Sequence, residues 1–306
     1  MALYETSYVS LNDGWSGRVV TRVDGKIAGA AAVDVLPTSA QWKDLLNRFL
    51  EDHSAMPGYE VLKYSRAGEV VRVEFTWPGG SIEAVCKRAR PAGFWKRVIP
   101  ALARRRARAS FERGFAAMRA GVPTCLPLAL LERTTAGGES WLVTRYVPGV
   151  VDLDHVLATH LNKLPGQSRR KVKRALTVAL VELFDNMSRH GLHHRDMKAS
   201  NIMVSNWNGA GGESRLWVLD LEGLSRPKHT IPGRRWRPLI RLAASLLYHK
   251  SVTRADYARF LRAYIKRVGF PEDSWKRYYR AIGSRAARYV QRARSRKTEK
   301  LDAHVE

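Results

Sequence analysis

Acidic side chains are in short supply in this chain: 28 Asp and Glu face 53 Lys and Arg across 306 residues, a formal net charge of +25. A surface this basic is expected to attract polyanions such as nucleic acid, anionic lipid head groups or phosphorylated glycolipids. Cysteine is almost missing. Cys86 and Cys125 sit in apolar stretches without metal-ligand spacing, which leaves no basis for a zinc site and points to buried thiols in a reducing compartment. Long apolar runs are missing too. The longest, Ile27 to Leu36, is short and carries Asp34, so it cannot span a bilayer. Met1 to Glu5 lacks the basic-then-apolar pattern of a secretory signal. No internal repeat and no known nucleic-acid-binding module is readable. These absences predict a cytoplasmic protein, free or peripheral on a membrane surface, with nucleic acid a less expected partner. The length allows one large or two modest domains, and 45% hydrophobic residues is ordinary for a globular chain.

What is present is a run of chemistry-bearing residues. His193-His194-Arg195-Asp196-Met197-Lys198-Ala199-Ser200-Asn201 reads H-R-D-x-K-x-x-N, and the apolar strand Ile202-Met203-Val204 follows it. A second apolar strand, Leu216 to Leu219, runs into Asp220-Leu221-Glu222-Gly223. Turn chemistry at 206–212 predicts a hairpin between them, which would bring Asp196, Asn201 and Asp220 together. Phosphoryl transfer from ATP needs such a set. One carboxylate accepts the hydroxyl proton of the acceptor, and one cation sits near the moving phosphoryl group. An Asn and a second Asp hold Mg²⁺ on the nucleotide phosphates. Asp196, Lys198, Asn201 and Asp220 fill those places in order. Just upstream, Val178 to His190 has helical spacing, with Leu180, Leu183, Phe184 and Met187 on one face and Gly191 to end it.

Residues 1–55 show a strand-like alternation at 18–23 and a short helical pattern at 41–49. No role is readable, and they are set apart as an N-terminal extension. From Tyr59 the pattern predicts three antiparallel strands, at 60–64, 70–75 and 81–88. The loop after the first, Ser65 to Glu69, could cover a nucleotide; its one glycine, Gly68, is the candidate position, and an ordinary hairpin is the alternative. The third strand ends Ala84-Val85-Cys86-Lys87, like the V-A-I-K strand whose lysine contacts nucleotide phosphates. A helix is expected over 102–120, with Leu102, Phe111, Phe115 and Met118 as its core stripe. Glu112 is the only acid between Lys87 and Glu132. A Lys87–Glu112 pair would orient the lysine; pairing of Glu112 with an arginine of its own helix is the alternative. Strands at 126–131 and 141–146 lead to Pro148-Gly149, where Arg145-Tyr146-Val147 reads as a hinge with Tyr146 beside the adenine. The remainder reads as mostly helical. The expectation is an α+β fold with an antiparallel-sheet N-lobe, 56–147, and a helical C-lobe, 148–306.

These residues resemble the lipopolysaccharide kinase family, the Kdo and heptose kinases within the protein-kinase-like superfamily, over roughly residues 60 to 250. Beyond the run at 194–201, the resemblance is carried by Lys87-Arg88 with Arg90-Pro91-Ala92-Gly93-Phe94 and by the arginine-rich helix into Ser110-Phe111-Glu112. Gly121-Val122-Pro123-Thr124 with Pro127-Leu128, and Leu142-Val143-Thr144, also carry it. It implies a bilobal protein-kinase-like fold. It also implies ATP- and Mg²⁺-dependent phosphorylation of a sugar hydroxyl, on heptose or Kdo, in the lipopolysaccharide inner core at the cytoplasmic face of the inner membrane. Carried over by motif, Asp196 would be the catalytic base and Lys198 would steady the transferring phosphoryl group. Asn201 and Asp220 would bind Mg²⁺, Lys87 would hold the nucleotide phosphates, and Glu112 would hold Lys87. His194 and Arg195 would shape the loop. Two departures move the expected acceptor away from peptides: Asp220 is followed by Leu221-Glu222-Gly223, and no A-P-E follows the short segment 224–238. Glu222 is read as a surface acid in preference to a second metal-side carboxylate.

Four blocks carry the basic excess: Lys96 to Arg108, Arg169 to Arg174, Arg234 to Arg241 and Lys276 to Lys297. In the last, Trp275, Tyr278, Tyr279, Ile282 and Tyr289 have helical spacing. A basic amphipathic helix suits an anionic membrane or glycolipid, and packing of the aromatics on the C-terminal lobe is the favoured alternative. Two other functions stay open: a kinase of a small molecule or protein, and a kinase-shaped scaffold that binds polyanions without catalysis. The joint presence of Lys87, Asp196, Asn201 and Asp220 argues against the scaffold.

Overall fold

The computed structural model describes residues 4–23, 35–65, 68–89, 100–133, 138–207, 214–226 and 236–302. The Arg90 to Phe94 run, loop residues 66–67, most of the 27–36 apolar stretch, the 208–212 turn and the start of the third basic block lie outside them. The chain forms two compact units, residues 1–148 with 220–222, and residues 149–219 with 223–306.

The first unit is built on one antiparallel sheet. Its strands are β1 (Tyr4–Ser10), β2 (Trp15–Val23), β3 (Glu60–Ser65), β4 (Gly68–Trp77), β5 (Gly80–Ala89), β6 (Pro127–Arg133) and β7 (Ser140–Arg145), in the order β1-β2-β6-β7-β5-β4-β3. Residues 4–23 thus supply two strands of the same sheet that carries Lys87. Helix α1 (Ser39–Glu51) starts at a capping box made by Thr38 and Gln41. Its Trp42, Leu45, Leu46 and Phe49 recur at helical spacing and are buried. Trp42 donates from Nε1 to the Val20 carbonyl at 2.8 Å, and Phe49 meets Trp141 edge-on at 4.9 Å. Helix α2 (Pro100–Arg119) follows β5 in the chain. Its Phe111, Phe115 and Met118 are buried, as the periodicity predicts, and Phe115 stacks on Tyr4 at 3.6 Å. With helices on both faces, β6 is buried from Pro127 to Glu132. Cys86 is buried and Cys125 half-buried; neither is in a disulfide, and burial pushes both thiols up, that of Cys125 to about 11.

The second unit is mainly helical. Helix α3 (Gly166–Arg189) begins twelve residues before the stretch the periodicity marks, and it buries Leu180, Leu183, Phe184 and Met187. Strands β8 (Val151–Asp152), β10 (Ile202–Val204) and β11 (Leu216–Val218) form a small sheet, with β10 and β11 antiparallel as the hairpin reading expects. Strand β9 (His193–His194) pairs with β12 (Leu224–Ser225). Helices α4 (Arg237–Leu246), α5 (Arg254–Arg267) and α6 (Trp275–Asp302) complete the unit. Part of the aromatic stripe of α6 packs inward: Tyr278 stacks on buried Trp236 at 4.3 Å and Ile282 is buried, while Tyr289 is exposed. Its outer face exposes Lys276, Arg277, Arg280, Arg285, Arg288 and Arg292. Among the described residues no helix is long and apolar enough to cross a membrane.

Asp256 ties α5 to α3. Its carboxylate accepts from Lys173 at 2.6 Å and from the Thr253 N–H and hydroxyl at 2.9 and 2.7 Å. Burial works to raise its pKa, but these bonds outweigh it and hold the group down at about 2. A folded-state pKa below the unfolded value means stability that is present above about pH 4 and lost as pH falls toward 2. With solvent screening the contribution is about 1–2 kcal/mol. Asp256→Asn is expected to lower the unfolding free energy at pH 7 by that amount, with a matching fall in the midpoint of chemical denaturation, and to flatten the loss of stability between pH 4 and 2. An unchanged midpoint at pH 7 would remove Asp256 from the fold's stabilising contacts.

Candidate active site

In the first unit the site is set by strand alternation. Cys86 points into the core, so its neighbour Lys87 points to the other face. Lys87 Nζ lies 3.3 Å from Asp220 Oδ1 and 3.5 Å from Glu222 Oε1. Burial opposes the charge on Lys87, but the two carboxylates outweigh it and raise its pKa above the ordinary lysine value. Asp220 has φ of +55°, the left-handed region that non-glycine residues seldom enter. Arg113 of α2 donates to the Glu222 carbonyl at 2.9 Å and so braces this segment.

The expected Lys87–Glu112 pair does not form. Glu112, half-exposed, pairs with Arg18 of β2. The register gives the reason: Arg18 lies opposite Leu130, Leu130 opposite Leu142, and Leu142 opposite Lys87. That single row spans three strand spacings, about 14 Å, and Glu112 sits over its far end. Glu222, read from the sequence as a surface acid, is the glutamate that meets Lys87. Gly68 has φ of +150°, and a Cβ there would overlap the Arg88 carbonyl oxygen, so the sheet itself requires glycine at this point. Tyr146 donates its N–H to the Glu83 carbonyl at 2.9 Å, and the Arg72 guanidinium covers its ring at 4.2 Å.

In the second unit the H-R-D-x-K-x-x-N run is a tightly tied loop. His194 is fully buried, with Nε2 3.2 Å from the Leu219 carbonyl oxygen. A Cβ at Gly223 would come within 2.5 Å of its ring, so this glycine is required for close approach. The Arg195 N–H donates to the Gly223 carbonyl at 2.9 Å. Asn201 Nδ2 donates to the Asp196 carbonyl at 2.8 Å, and the Asn201 carbonyl accepts from the N–H of Leu219, the residue before Asp220, at 2.8 Å. Asp196 carries its carboxylate between two cations: Oδ1 accepts from Arg241 of α4, and Oδ2 lies 3.8 Å from Lys198 Nζ. Burial would raise the Asp196 pKa, but the hydrogen bond and charge of Arg241, with Lys198 behind them, hold it below the ordinary carboxylate value. The group is therefore ionised at neutral pH and able to accept a hydroxyl's hydrogen bond.

The described structure brings Asp196, Lys198 and Asn201 together in one unit, and Lys87, Asp220 and Glu222 in the other. Arg241 and Arg113 are missed by sequence reasoning because each hides in an arginine-rich stretch. For Arg241 the available signal is a lone charge inside the apolar run Leu239-Ile240-Arg241-Leu242. Each unit by itself carries oxygen donors of the kind Mg²⁺ takes. In the second, Asn201 Nδ2 is committed to Asp196, which leaves its Oδ1 open; in the first, Asp220 and Glu222 carry hard carboxylate oxygens. Among the described residues no group of three or more His, Cys, Asp or Glu could hold a metal. Mg²⁺ at a nucleotide takes only one or two protein carboxylates, with phosphate oxygens completing its shell.

An antiparallel sheet carrying a lysine–aspartate pair, followed by a helical unit with this loop, defines a chain of the protein-kinase-like class. The family model described as Lipopolysaccharide kinase (Kdo/WaaP) family matches residues 89–264. The chain belongs to that family. It is 33% identical over 153 residues to the lipopolysaccharide core heptose(I) kinase WaaP of Pseudomonas aeruginosa, covering 48% of this chain and 55% of the relative. The chain thus spans about half the length of this curated relative. A solved structure described as WaaP in complex with acyl carrier protein shares the fold, with a TM-score of 0.56 at 23% identity over 79% of this chain and 91% of that one.

Proposed function

We propose that the chain is an ATP- and Mg²⁺-dependent phosphotransferase whose acceptor is a sugar hydroxyl, on heptose or Kdo, of the lipopolysaccharide inner core. The Lys87–Asp220–Glu222 cluster carries this reading. It joins a strand-end cation to two carboxylates more than 130 residues away in sequence, which is the pairing that nucleotide phosphates and their metal require. Membership of the family, and a relative named as a heptose(I) kinase, support the sugar acceptor.

Lys87 would hold the nucleotide phosphates. Asn201 Oδ1, Asp220 and, from its place beside Lys87, Glu222 would hold Mg²⁺. When bound, the metal supplies neutralisation of phosphate charge. Asp196 would take the acceptor hydroxyl's proton as that oxygen bonds to the γ-phosphorus and the bond to the ADP oxygen breaks. Lys198 would steady the charge on the transferring group. The tie from Asn201 to the Asp196 carbonyl would keep the base and the metal-side amide in fixed relation. The basic outer face of α6 would meet an anionic glycolipid or the cytoplasmic membrane surface, a contact that salt would weaken.

The test supplies the full chain with labelled ATP, Mg²⁺ and dephosphorylated inner-core oligosaccharides ending in heptose or Kdo. Label is expected on one of these acceptors, and chelation with EDTA is expected to abolish it. Transfer to neither sugar, with transfer to a peptide or small-molecule panel, would overturn the acceptor; no transfer to any acceptor would overturn the enzyme.

A further inference from the structure

Helix α4 meets the catalytic loop with two residues one turn apart. Arg241 donates to Asp196 Oδ1, and Ser245 Oγ accepts from the Ala199 N–H at 3.0 Å. Residues at i and i+4 share a helix face, so α4 braces the loop at both its carboxylate and its backbone. Arg241 is itself held from behind. Its guanidinium lies over the ring of Tyr289 of α6, 3.9 Å from the centroid, and its side chain is only 16% exposed. Tyr289, by contrast, is 42% exposed. It fills little of the core, and its ring lies as a plate under the Arg241 cation. A planar guanidinium suits such a sandwich, since its face stacks while its edge donates. A lysine ammonium could do only one of these well.

We infer that Arg241, seated on Tyr289, is a positioning residue for the phosphoryl-transfer reaction: it fixes the Asp196 carboxylate by one oxygen so that the other meets the acceptor hydroxyl. The inference rests on Asp196 being the catalytic base as proposed above. In that step the hydroxyl proton passes to the carboxylate while the acceptor oxygen bonds to phosphorus and ADP leaves. A carboxylate free to rotate would spend much of its time misdirected, and misplacement at a reacting centre lowers turnover more than binding. The arrangement also makes α6, far along the chain from the motif, part of what orients the base.

The experiment measures kcat and the KM for ATP on the full chain, with ATP and dephosphorylated inner-core oligosaccharide, normalised to the ATP-binding fraction. Arg241→Ala is expected to lower kcat roughly 10- to 100-fold with the KM for ATP within about threefold. Arg241→Lys should recover part of the loss. Tyr289→Ala is expected to lower kcat roughly 3- to 10-fold, and Tyr289→Phe, which keeps an aromatic face, to restore most of it. A strut that only stabilised the fold would shift the unfolding midpoint and leave kcat per folded molecule alone. Arg241→Ala with kcat within threefold of wild type overturns the inference. If Arg241→Ala does not fold, Arg241→Lys and Tyr289→Ala decide, and kcat within twofold for both overturns it. Asp196→Asn runs alongside. Wild type no faster than Asp196→Asn means that the active-site reading fails and takes this inference with it. An active wild type, an inactive Asp196→Asn and a near-normal Arg241→Ala sink this inference alone.

Discussion

Asp196→Asn is expected to cut phosphoryl transfer roughly 10²- to 10⁴-fold while leaving ATP affinity nearly intact. The amide keeps the size of the carboxylate and can still accept from Arg241, so the loop should hold its shape. What it loses is the charge that, in the proposed mechanism, accepts the hydroxyl proton. That charge matters in the transition state and little in the ground state, so the loss belongs in kcat. Single-turnover transfer of labelled phosphate, beside calorimetric ATP binding, reads the two quantities separately. An equal drop in both would mean that Asp196 serves the nucleotide, and a drop in neither would place the base elsewhere.

Removing Lys87 should produce the other large effect. Lys87→Ala deletes the cation between Asp220 and Glu222, leaving two carboxylates without the charge that neutralises them and, in the proposed mechanism, the nucleotide without its phosphate contact. A charge-assisted bond of this kind contributes about 1.5–3 kcal/mol, so kcat/KM for ATP is expected to fall roughly 10²-fold. The sharper comparison is between the two glutamates. Glu222→Gln is expected to cost roughly tenfold in the same quantity, through its 3.5 Å contact with Lys87. Glu112→Gln removes a half-exposed pair with Arg18 and should cost less than about fivefold. If Glu112→Gln proved the more damaging, the lysine's partner would be the helix glutamate after all.

The two glutamates also show where sequence reasoning reaches and where it stops. Asp196, Lys198 and Asn201 lie within six residues, so their spacing alone sets their relation, and the flanking strands were legible from apolar runs and turn residues. The partner of Lys87 is a different matter. Sequence points to Glu112 because it is the only acid between Lys87 and Glu132, but distance along a chain does not measure distance across a sheet. Strand order and register put Glu112 over β2 and return Glu222 from more than a hundred residues away. The aromatic stripe of α6 was legible as a core face, yet Tyr289 on it serves Arg241. In residues 1–55 the sequence shows a short helical pattern at 41–49, but that Trp42, Leu45, Leu46 and Phe49 form its buried face against the sheet is a tertiary fact. The basic blocks were plain as composition, and Arg241 within one of them turns out to face inward.

The sheet of the first unit also grades from stiff to loose across its width. Strand β6 is buried along its length, whereas β3 at one edge is exposed at all six residues. Backbone amides in β6 are therefore expected to exchange with solvent only through global opening, and those in β3 through local fraying. Lys87 stands on β5, two strands from β6 and two from that edge. Lys87 can therefore hold its register while the exposed edge strand β3 opens locally.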